Sequence, residues 1–358
     1  MTAAPTNPIT VAITGVAATE NPGPGIGVAR SLRLWAGPQI RLVALAYDAA
    51  ECLALAGELF DHVFLMPYPG QGVESTLDRL KEIHAEVPMN FLIPCLDVEI
   101  PLLLAAKAQL TEMGIDSCLP SKTAYARRNK NQLSALSEKL GISVPETIVI
   151  THPGEIIPAT KKLGFPLFVK GNQYGAKKVF TLTELQNEVE ASTRQWGYPI
   201  LLQQAVLGTD MLLAGLGNGR GGLSCGAVAL RKEHQTSQGK LWNALTVQCP
   251  WLQDAAEAFV AETEWEGPFE FECLLGDDGS AWLIEINPRF PAWIHAGTLL
   301  GVNLPACLVG RLNQQEERVP DLIPAGKWVV RSICETVLDQ DPMNQLISEG
   351  KYCHAENI

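Results

Sequence analysis

The stretch Gly267–Arg289, with the sequence GPFEFECLLGDDGSAWLIEINPR, says more about the fold than any other part of the chain. Two apolar runs, Glu266–Leu275 and Ser280–Ile286, flank the sequence Asp277-Asp278-Gly279. An Asp-Gly turn between two such runs is a strong hairpin signal, so this stretch predicts two antiparallel strands. Side chains alternate between the two faces of a strand, so Glu270 and Glu272 share one face. The residues that share one face of the partner strand are Glu285, Asn287 and Arg289.

The predicted hairpin gathers carboxylates, an amide oxygen and a guanidinium on one side of a small sheet. Carboxylates this close repel one another and raise each other's pKa unless a cation offsets their charge. Mg²⁺ prefers hard oxygen ligands, often a few carboxylates together with substrate phosphates. The forked guanidinium of Arg289 suits a phosphate or acyl-phosphate oxygen. We therefore interpret the hairpin as a magnesium site; the alternative is a solvated hairpin whose Glu and Arg side chains pair across the strands.

Two further features favour a bound nucleotide. Lys170 ends the apolar strand Phe165–Lys170, and the glycine-bearing loop 171–178 follows it. A lysine in this position can reach the α- and β-phosphates, although a strand-end lysine with its charged head in water is the commoner case. Lys130 is a weaker cation of the same kind, and alone it is typical of a solvated helix face. In Leu201–Asp210, a strand runs into a short linker with backbone groups suited to an adenine edge and an acid, Asp210, suited to ribose hydroxyls.

The first third of the chain alternates between strand-like and helix-like segments, which predicts βαβ units and a parallel sheet. The predicted strands are Ile9–Thr14, Ile40–Ala46, His62–Met66 and Asn90–Ile93, and the predicted helices are Ile26–Trp35, Ala49–Leu59, Val73–Glu86 and Val98–Met113. The later part of the chain favours a mainly antiparallel α+β arrangement. Its predicted helices are Ser121–Ala126, Asn131–Leu140, a helix opened by the Thr181–Glu184 capping box, and Asp254–Glu262, and its predicted strands before the hairpin are Phe165–Lys170, Pro199–Ala205 and Asp210–Leu216.

The loop Gly23–Gly27 invites comparison with a dinucleotide-binding turn, but the match is poor. Arg30 stands where a third glycine would allow close packing of helix on strand. We favour an ordinary loop at the carboxyl edge of the first strand. An NAD-dependent oxidoreductase, with Asp48 after the second strand as its acidic residue, remains a rival that leaves the acidic hairpin unexplained.

Composition excludes several classes of partner. The 358 residues include 27 Lys and Arg against 39 Asp and Glu, a net charge of −12 that lacks the cationic footprint for nucleic acid or an anionic membrane. The sequence contains no apolar run of ~20 residues and no recognisable signal peptide at its start. The nine cysteines form no CxxC pair, so we expect reduced thiols and a cytoplasmic location.

The order and spacing of these pieces resemble the ATP-grasp superfamily, in particular its carboxylate–amine ligases and its carbamoyl-phosphate-synthase-like members. The resemblance implies an α/β plus α+β architecture, an ATP-grasp fold that begins with a parallel-sheet pre-ATP-grasp domain. It also implies four segments: 1–118, the pre-ATP-grasp α/β domain; 119–206, the lid-side subdomain; 207–315, the metal-binding subdomain; and 316–358, a C-terminal segment. The stretch Trp328–Ile358 contains strand-like pieces that we interpret as docking a partner subunit or closing the active site.

The resemblance also implies roles for individual residues. The two nucleotide lysines are Lys130 and Lys170, and the metal ligands are Glu272, Glu285 and Asn287. The adenine hinge is formed by Gln203, Gln204, Ala205 and Val206. Asp210 holds the ribose, and Arg289 holds the transferring phosphate. The chain departs from the family pattern in its hinge glutamines, in the glycine after Lys170, and in its Gln- and Tyr-bearing phosphate loop.

The implied reaction uses ATP with Mg²⁺, or Mn²⁺ as the alternative metal. ATP phosphorylates a carboxylate to an acyl phosphate, an amine or related nucleophile attacks it, and ADP and phosphate are released. The implied partners are small-molecule or peptide carboxylates and amines, with no nucleic acid and no membrane, and a homodimer is the assembly we consider. Candidate substrate contacts are Arg231, His234, Trp293 and His295, each of which has an ordinary structural alternative. A non-catalytic nucleotide sensor of the same fold is the second rival.

Overall fold

The computed structural model describes residues 9–17, 22–170, 176–237, 239–311, 323–332 and 335–354. The chain divides into two compact units, one formed by residues 1–127, 211–271 and 286–358 and the other by residues 128–210 and 272–285. We call them the first and the second unit. The four predicted segments follow chain order and stay a prediction.

The first unit begins with alternating strands and helices, as the sequence pattern predicts. They are β1 Ile9–Ile13, α1 Pro24–Ala36, β2 Ile40–Ala46, β3 His62–Leu65, α2 Val73–Glu86, β4 Phe91–Ile93, α3 Ile100–Glu112 and α4 Lys122–Arg127. Strands β1 to β4 pair in parallel, with Val11 opposite both Leu42 and Phe91. Val11 and Ala12 contribute to different core clusters on the two faces of the sheet. Burial on both faces explains why β1 is almost entirely apolar, with Thr10 as its one polar residue.

The second unit contains a four-stranded antiparallel sheet in the order β5-β8-β6-β7. Its elements are α5 Lys130–Leu140, β5 Thr147–Ile150, α6 Ile156–Leu163, β6 Leu167–Lys170, β7 Ala176–Val179, α7 Leu182–Trp196 and β8 Ile200–Gln204. Half of the capping box predicted at Thr181 forms, because the Thr181 side chain accepts a hydrogen bond from the Glu184 amide at 3.2 Å. The Glu184 side chain accepts from the amide of Phe180, at 2.8 Å, rather than from that of Thr181. Leu167, Leu185 and Ile200 share one buried core beneath the sheet.

The remaining elements are β9 Thr209–Asn218, β10 Leu223–Gln235, β11 Leu241–Thr246, α8 Pro250–Thr263, β12 Glu266–Leu275, β13 Ala281–Asn287, α9 Ile294–Leu299, α10 Leu304–Gly310, β14 Trp328–Val330, α11 Gln340–Glu349 and β15 Lys351–Cys353. Six of these strands form a sheet in the order β13-β12-β9-β10-β11-β14. The predicted hairpin therefore forms as neighbouring strands β12 and β13. Strand β15 pairs antiparallel with β3 at the edge of the first sheet, so the parallel sheet gains an antiparallel fifth strand.

Two sequence predictions are wrong. The segment predicted as a helix over Ala49–Leu59 forms only a 3-10 turn at Cys52–Leu55. The Asp48 carboxylate accepts from the Ala50 amide at 2.8 Å, and such local side-chain bonds compete with a continuing helix. The expectation of reduced thiols throughout fails for one pair, because Cys225 on β10 and Cys307 in α10 form a disulfide. Their sequence separation of 82 residues explains why no local spacing indicated it.

No helix in the described ranges is both long and apolar enough to cross a bilayer.

The glycines of the loop before α1 serve close packing. A Cβ atom added to Gly25 would lie 2.1 Å from the Thr14 carbonyl oxygen, and one added to Gly23 would lie 2.0 Å from the Gly15 carbonyl oxygen. The entry of α1 is therefore pressed against the end of β1. This close contact explains why Gly23 and Gly25 are glycines, and no bound dinucleotide is needed to explain them.

We predict that Gly25→Ala lowers the free energy of unfolding by roughly 1–3 kcal/mol, because a methyl group has no room against the backbone. Gly70→Ala is the matched control, since no atom lies within 4 Å of the Cβ position at Gly70. Its effect should stay within about 0.5 kcal/mol. Denaturant unfolding measures both, and equal stability of the two variants would contradict the close packing.

Candidate active site

A buried carboxylate, Glu270 on β12, organises the described site residues of the first unit. Glu270 is 5% exposed. Its Oε2 accepts a hydrogen bond from Asn287 Nδ2 at 3.0 Å, and its Oε1 accepts one from Trp293 Nε1 at 2.8 Å. Arg289 Nη1 lies 3.7 Å from the same Oε2. A buried charge is tolerated when it is paired and hydrogen-bonded, and Glu270 meets both conditions.

The guanidinium of Arg289 contacts two carboxylates, those of Glu270 and Asp97. Its Nε lies 2.7 Å from Asp97 Oδ2, and the side chain is only 15% exposed. A third contact, from Nη1 to the Phe290 carbonyl at 3.3 Å, fixes the plane of the group. The orientation of the Arg289 guanidinium is therefore fixed by groups of the protein itself.

A second buried carboxylate, Glu99, lies where β1, β2 and β4 end. Its Oε2 accepts from Thr14 Oγ1 at 2.6 Å and from the Leu96 amide at 3.1 Å, and its Oε1 accepts from the Tyr47 hydroxyl. A cavity adjoins these groups, with apolar walls that include Leu45 and Leu103. Parallel sheets bind ligands where strand order reverses, and β1 between β2 and β4 is such a point.

Burial governs the ionisation of this group. It raises the pKa of Glu99 to about 7, although the hydrogen bonds from Thr14, Tyr47 and the backbone favour the charged form. Burial and the nearby carboxylate of Glu99 also raise the pKa of Tyr47 far above its usual value. The phenol of Tyr47 consequently stays protonated and remains a hydrogen-bond donor.

The candidate substrate contacts fall into different environments. Trp293 is buried, with its indole N–H bound to Glu270. His295 is half-buried, and its Nδ1 lies 3.1 Å from Ser31 Oγ on α1. Burial and the charge of Arg30 lower the pKa of His295, so the neutral imidazole is favoured. Arg231 on β10 pairs with Glu233 at 2.5 Å. His234 is exposed and lies one residue before Gln235, where the pairing of β10 with β11 ends.

The candidate nucleotide residues of the second unit are placed as follows. Lys170 ends β6, with its Nζ 5.9 Å from the centre of the Phe168 ring. Gln203 is buried and donates to Thr147 Oγ1 at 2.9 Å, so its side chain serves the sheet. The amides of Gln204 and Ala205 already donate to the carbonyls of Glu146 and Pro166. Val206 and Asp210 are half-buried after β8 and at the start of β9. Glu272 is half-buried and Glu285 is exposed.

Some predicted contacts lie outside the described residues: the side chain of Lys130, and residues 171–175 of the phosphate loop. Of the rest of that loop, Lys177 in β7 pairs with Glu188 of α7 at 2.7 Å. The roles assigned to residues of the second unit, together with those of Asn287 and Arg289, stay predictions.

Sequence reasoning missed Asp97 and Glu99 as members of this site. Both lie shortly after β4, in a 3-10 turn over Asp97–Glu99. Acidic residues at the carboxyl end of a parallel strand are a usable signal, since such ends converge on one edge. The sequence analysis also left Glu270 out of the metal ligands, although the Glu270 carboxylate accepts a hydrogen bond from Asn287.

Comparisons with known proteins agree with this architecture. No family model matches the chain. The chain is 27% identical to the vancomycin/teicoplanin A-type resistance protein VanA of Enterococcus faecium over 209 residues, 51% of this chain and 60% of that protein. It is 26% identical to the carbamoyl phosphate synthase large chain of Hyperthermus butylicus over 289 residues, 72% of this chain and 26% of that protein. The matches thus span less than two thirds of these relatives' length.

Two solved structures show the same fold. The L-amino acid ligase from Bacillus licheniformis superposes with a TM-score of 0.63 at 16% identity, covering 87% of this chain and 76% of that one. The D-alanine–D-alanine ligase from Bacillus anthracis complexed with ATP gives a TM-score of 0.57 at 15% identity, covering 86% and 98%. The chain has the ATP-grasp fold. The ATP-grasp fold predicted from the sequence, with its parallel first sheet, is confirmed.

We predict a pH-dependent stability for this ATP-grasp chain that arises from Glu99. Because the folded-state pKa of Glu99 is raised from 4.5 to about 7, the protonated group stabilises the fold below pH 4.5, and this contribution is lost as the pH rises through 7. The total change is roughly 3 kcal/mol. Glu99→Gln cannot titrate at this position, so the stability of the wild type relative to this variant should fall between pH 4.5 and pH 8. A pH-independent difference in denaturant unfolding would contradict this assignment.

Proposed function

We propose that this chain is an ATP-dependent ligase that joins a carboxylate to an amine or related nucleophile. The main support is a cluster of four residues: Glu270, Asn287, Arg289 and Asp97. In it the guanidinium of Arg289 is held beside oxygen atoms suited to a divalent cation. The L-amino acid ligase and the D-alanine–D-alanine ligase complexed with ATP, which share the fold, support a ligase that uses ATP.

The reaction proceeds in two steps. A carboxylate oxygen attacks the γ-phosphorus of ATP, the bond to the β-phosphate oxygen breaks, and an acyl phosphate and ADP result. The nucleophile then attacks the acyl carbon, loses a proton, and displaces inorganic phosphate. Neither step requires a covalent bond to the protein, so catalysis consists of positioning and electrostatic stabilisation.

The donor set fits Mg²⁺. Among the described residues, no three His, Cys, Asp or Glu side chains gather into a metal site, but carboxylates together with an amide oxygen and substrate phosphates suit this ion. We assign Glu272, Glu285 and Asn287 as its ligands, and we add Glu270 as a further candidate because of its contact with Asn287. When bound, Mg²⁺, or Mn²⁺ in its place, offsets charge on the phosphates.

The chain's own cations serve the phosphates. Arg289 offers its guanidinium to the transferring phosphoryl group, and Lys170 and Lys130 contact the other phosphates. The hinge Gln203–Val206 takes the adenine through its remaining backbone groups, because the amides of Gln204 and Ala205 are used within the sheet. Asp210 holds the ribose hydroxyls, and the loop 171–178 excludes water that would hydrolyse the acyl phosphate.

Four residues, Arg231, His234, Trp293 and His295, are the proposed substrate contacts. The indole of Trp293 is fixed through its N–H, so the ring offers an apolar wall to a substrate. His295 is favoured as a neutral imidazole, which suits a hydrogen bond to a substrate better than an ion pair. Arg231 must exchange Glu233 for a substrate carboxylate, while the exposed His234 needs no such exchange. Small carboxylates and amines are the proposed partners, with a homodimer as the proposed assembly.

The decisive experiment is a screen for ADP and phosphate release over pairs of carboxylates and amines, at saturating MgATP. Release that requires both members of a pair supports the ligase. ATP binding without release across a broad panel supports a nucleotide sensor instead, and binding of NAD without ATP binding supports an oxidoreductase.

For the metal site, we predict that Glu285→Gln and Asn287→Ala each lower ATP turnover about 100-fold or more, because loss of a single group that stabilises transition-state charge typically costs about 10²–10³ in rate. Asp277→Asn, exposed at the turn of the same hairpin, is the matched control and should retain full turnover. Circular dichroism checks the fold of each variant. Normal turnover in either of the first two variants would remove the metal assignment.

For the nucleotide site, we predict that Lys170→Ala weakens ATP binding more than Lys130→Ala does, because Lys170 ends an apolar strand beside the phosphate loop. Lys161→Ala, exposed on α6, serves as the control for general charge loss. Isothermal titration with MgATP measures all three affinities. Equal losses for Lys170→Ala and Lys130→Ala would leave this ranking without support.

A further inference from the structure

The carboxylate of Glu99 joins three connections of the first sheet. The Thr14 hydroxyl that donates to it at 2.6 Å follows β1, and the Tyr47 hydroxyl follows β2. The Leu96 amide at 3.1 Å belongs to the connection after β4. Thr14 Oγ1 also accepts from the Cys95 amide at 2.9 Å, which adds a second bond between the first and third connections. Glu99 is 2% exposed, so water does not replace these partners.

The turn that carries Glu99 also carries Asp97. Two hydrogen bonds between Glu99 and Leu96 close this turn. The Glu99 amide donates to the Leu96 carbonyl at 3.2 Å, and the Glu99 carboxylate accepts from the Leu96 amide. Asp97 projects from this turn and binds Arg289 Nε at 2.7 Å. The place of Asp97 therefore depends on the turn, and the turn depends on the Glu99 carboxylate.

We propose that Glu99 is a positioning residue of the candidate site: it fixes the turn Asp97–Glu99, and through Asp97 it holds the guanidinium of Arg289 for a phosphate oxygen. This inference rests on the proposed function, which gives Arg289 its phosphate. We propose no phosphate contact for Glu99 itself. Its own partners are two hydroxyls and an amide, all used for holding the polypeptide.

The surroundings of Glu99 explain why a charged group is needed here. The ionised carboxylate accepts from two hydroxyls and an amide at once, and charge-assisted hydrogen bonds of this kind are about twice as strong as neutral ones. A glutamine has the same shape but only one acceptor oxygen, and its NH₂ group would meet a hydroxyl donor or the amide. Glu99→Gln therefore disturbs the turn while it preserves side-chain volume.

The test compares two nucleotides at pH 8. We expect Glu99→Gln to weaken binding of the magnesium complex of AMPPNP, a non-hydrolysable ATP analogue, about tenfold. Binding of AMP, which lacks the transferring phosphate, should stay unchanged. In the Arg289→Lys background, Glu99→Gln should cause no further loss, because the group it positions has been replaced. An unchanged AMPPNP affinity, or the same loss in both backgrounds, would overturn the proposal.

Three variants control for a merely structural effect. Glu82→Gln, exposed on α2, should leave both affinities unchanged. Thr14→Val removes a hydroxyl donor and should weaken AMPPNP binding, and Thr14→Ser, which keeps the hydroxyl, should restore it. Failure of Thr14→Ser to restore affinity while it folds normally would count against the hydrogen bond to Glu99.

A crystal structure of Glu99→Gln tests the positioning without any nucleotide. We expect the contact between Asp97 Oδ2 and Arg289 Nε to lengthen beyond hydrogen-bond range. Retention of that contact at its present 2.7 Å would overturn the proposal. If the wild type binds no AMPPNP while this contact is lost in the variant, the proposed function fails and the positioning role of Glu99 stands.

Discussion

The candidate site depends on one buried charge, the carboxylate of Glu270. An ionised acid in the interior is costly unless donors surround it, and the donors here are the amide of Asn287, the indole of Trp293 and the guanidinium of Arg289. The requirement works in both directions, because each donor is also held in place by its acceptor. Three side chains from one short stretch are thereby fixed relative to β12.

The same principle extends to the edge of the first sheet, where the buried acid is Glu99. Its charge affects the groups around it: the phenol of Tyr47 stays protonated, and the pKa of the Cys95 thiol is raised by burial and by Glu99. A thiol with a raised pKa is a poor nucleophile, so Cys95 is inert although it lies beside the site. The proposed chemistry, which involves no covalent attachment to the protein, fits this environment.

Local signals in the sequence predicted local structure well. The bounds of β2 and α2 match the prediction, because a short apolar run and a clear helical period leave little ambiguity. The hairpin of β12 and β13 follows from its Asp-Gly turn. The helix predicted over Ala49–Leu59 does not form, because a side-chain hydrogen bond of Asp48 competes with helix formation. The hydrophobic periodicity of a sequence carries no information about such a bond.

Contacts between distant parts of the chain were beyond the sequence patterns. Asp97 and Arg289 are 192 residues apart, and neither the spacing nor the composition of their segments links them. The disulfide between Cys225 and Cys307 was not predicted for the same reason, since 82 residues separate the two cysteines. The residues proposed to bind nucleotide and metal were inferred from the order of the motifs alone. The roles of Lys170, Asp210, Glu272 and Glu285 stay predictions.

The pairing of β15 with β3 has a consequence for how the protein is made. Tyr352 lies opposite Val63, so the first sheet acquires β15 only after residues 351–353 have left the ribosome. The second unit takes most of its residues from the single interval 128–210, which emerges much earlier. Domains generally fold as units during synthesis, and contacts between distant residues form slowly. The second unit can therefore acquire most of its structure before β15 joins the first sheet. Nascent chains halted before residue 350 would have a first sheet that lacks β15.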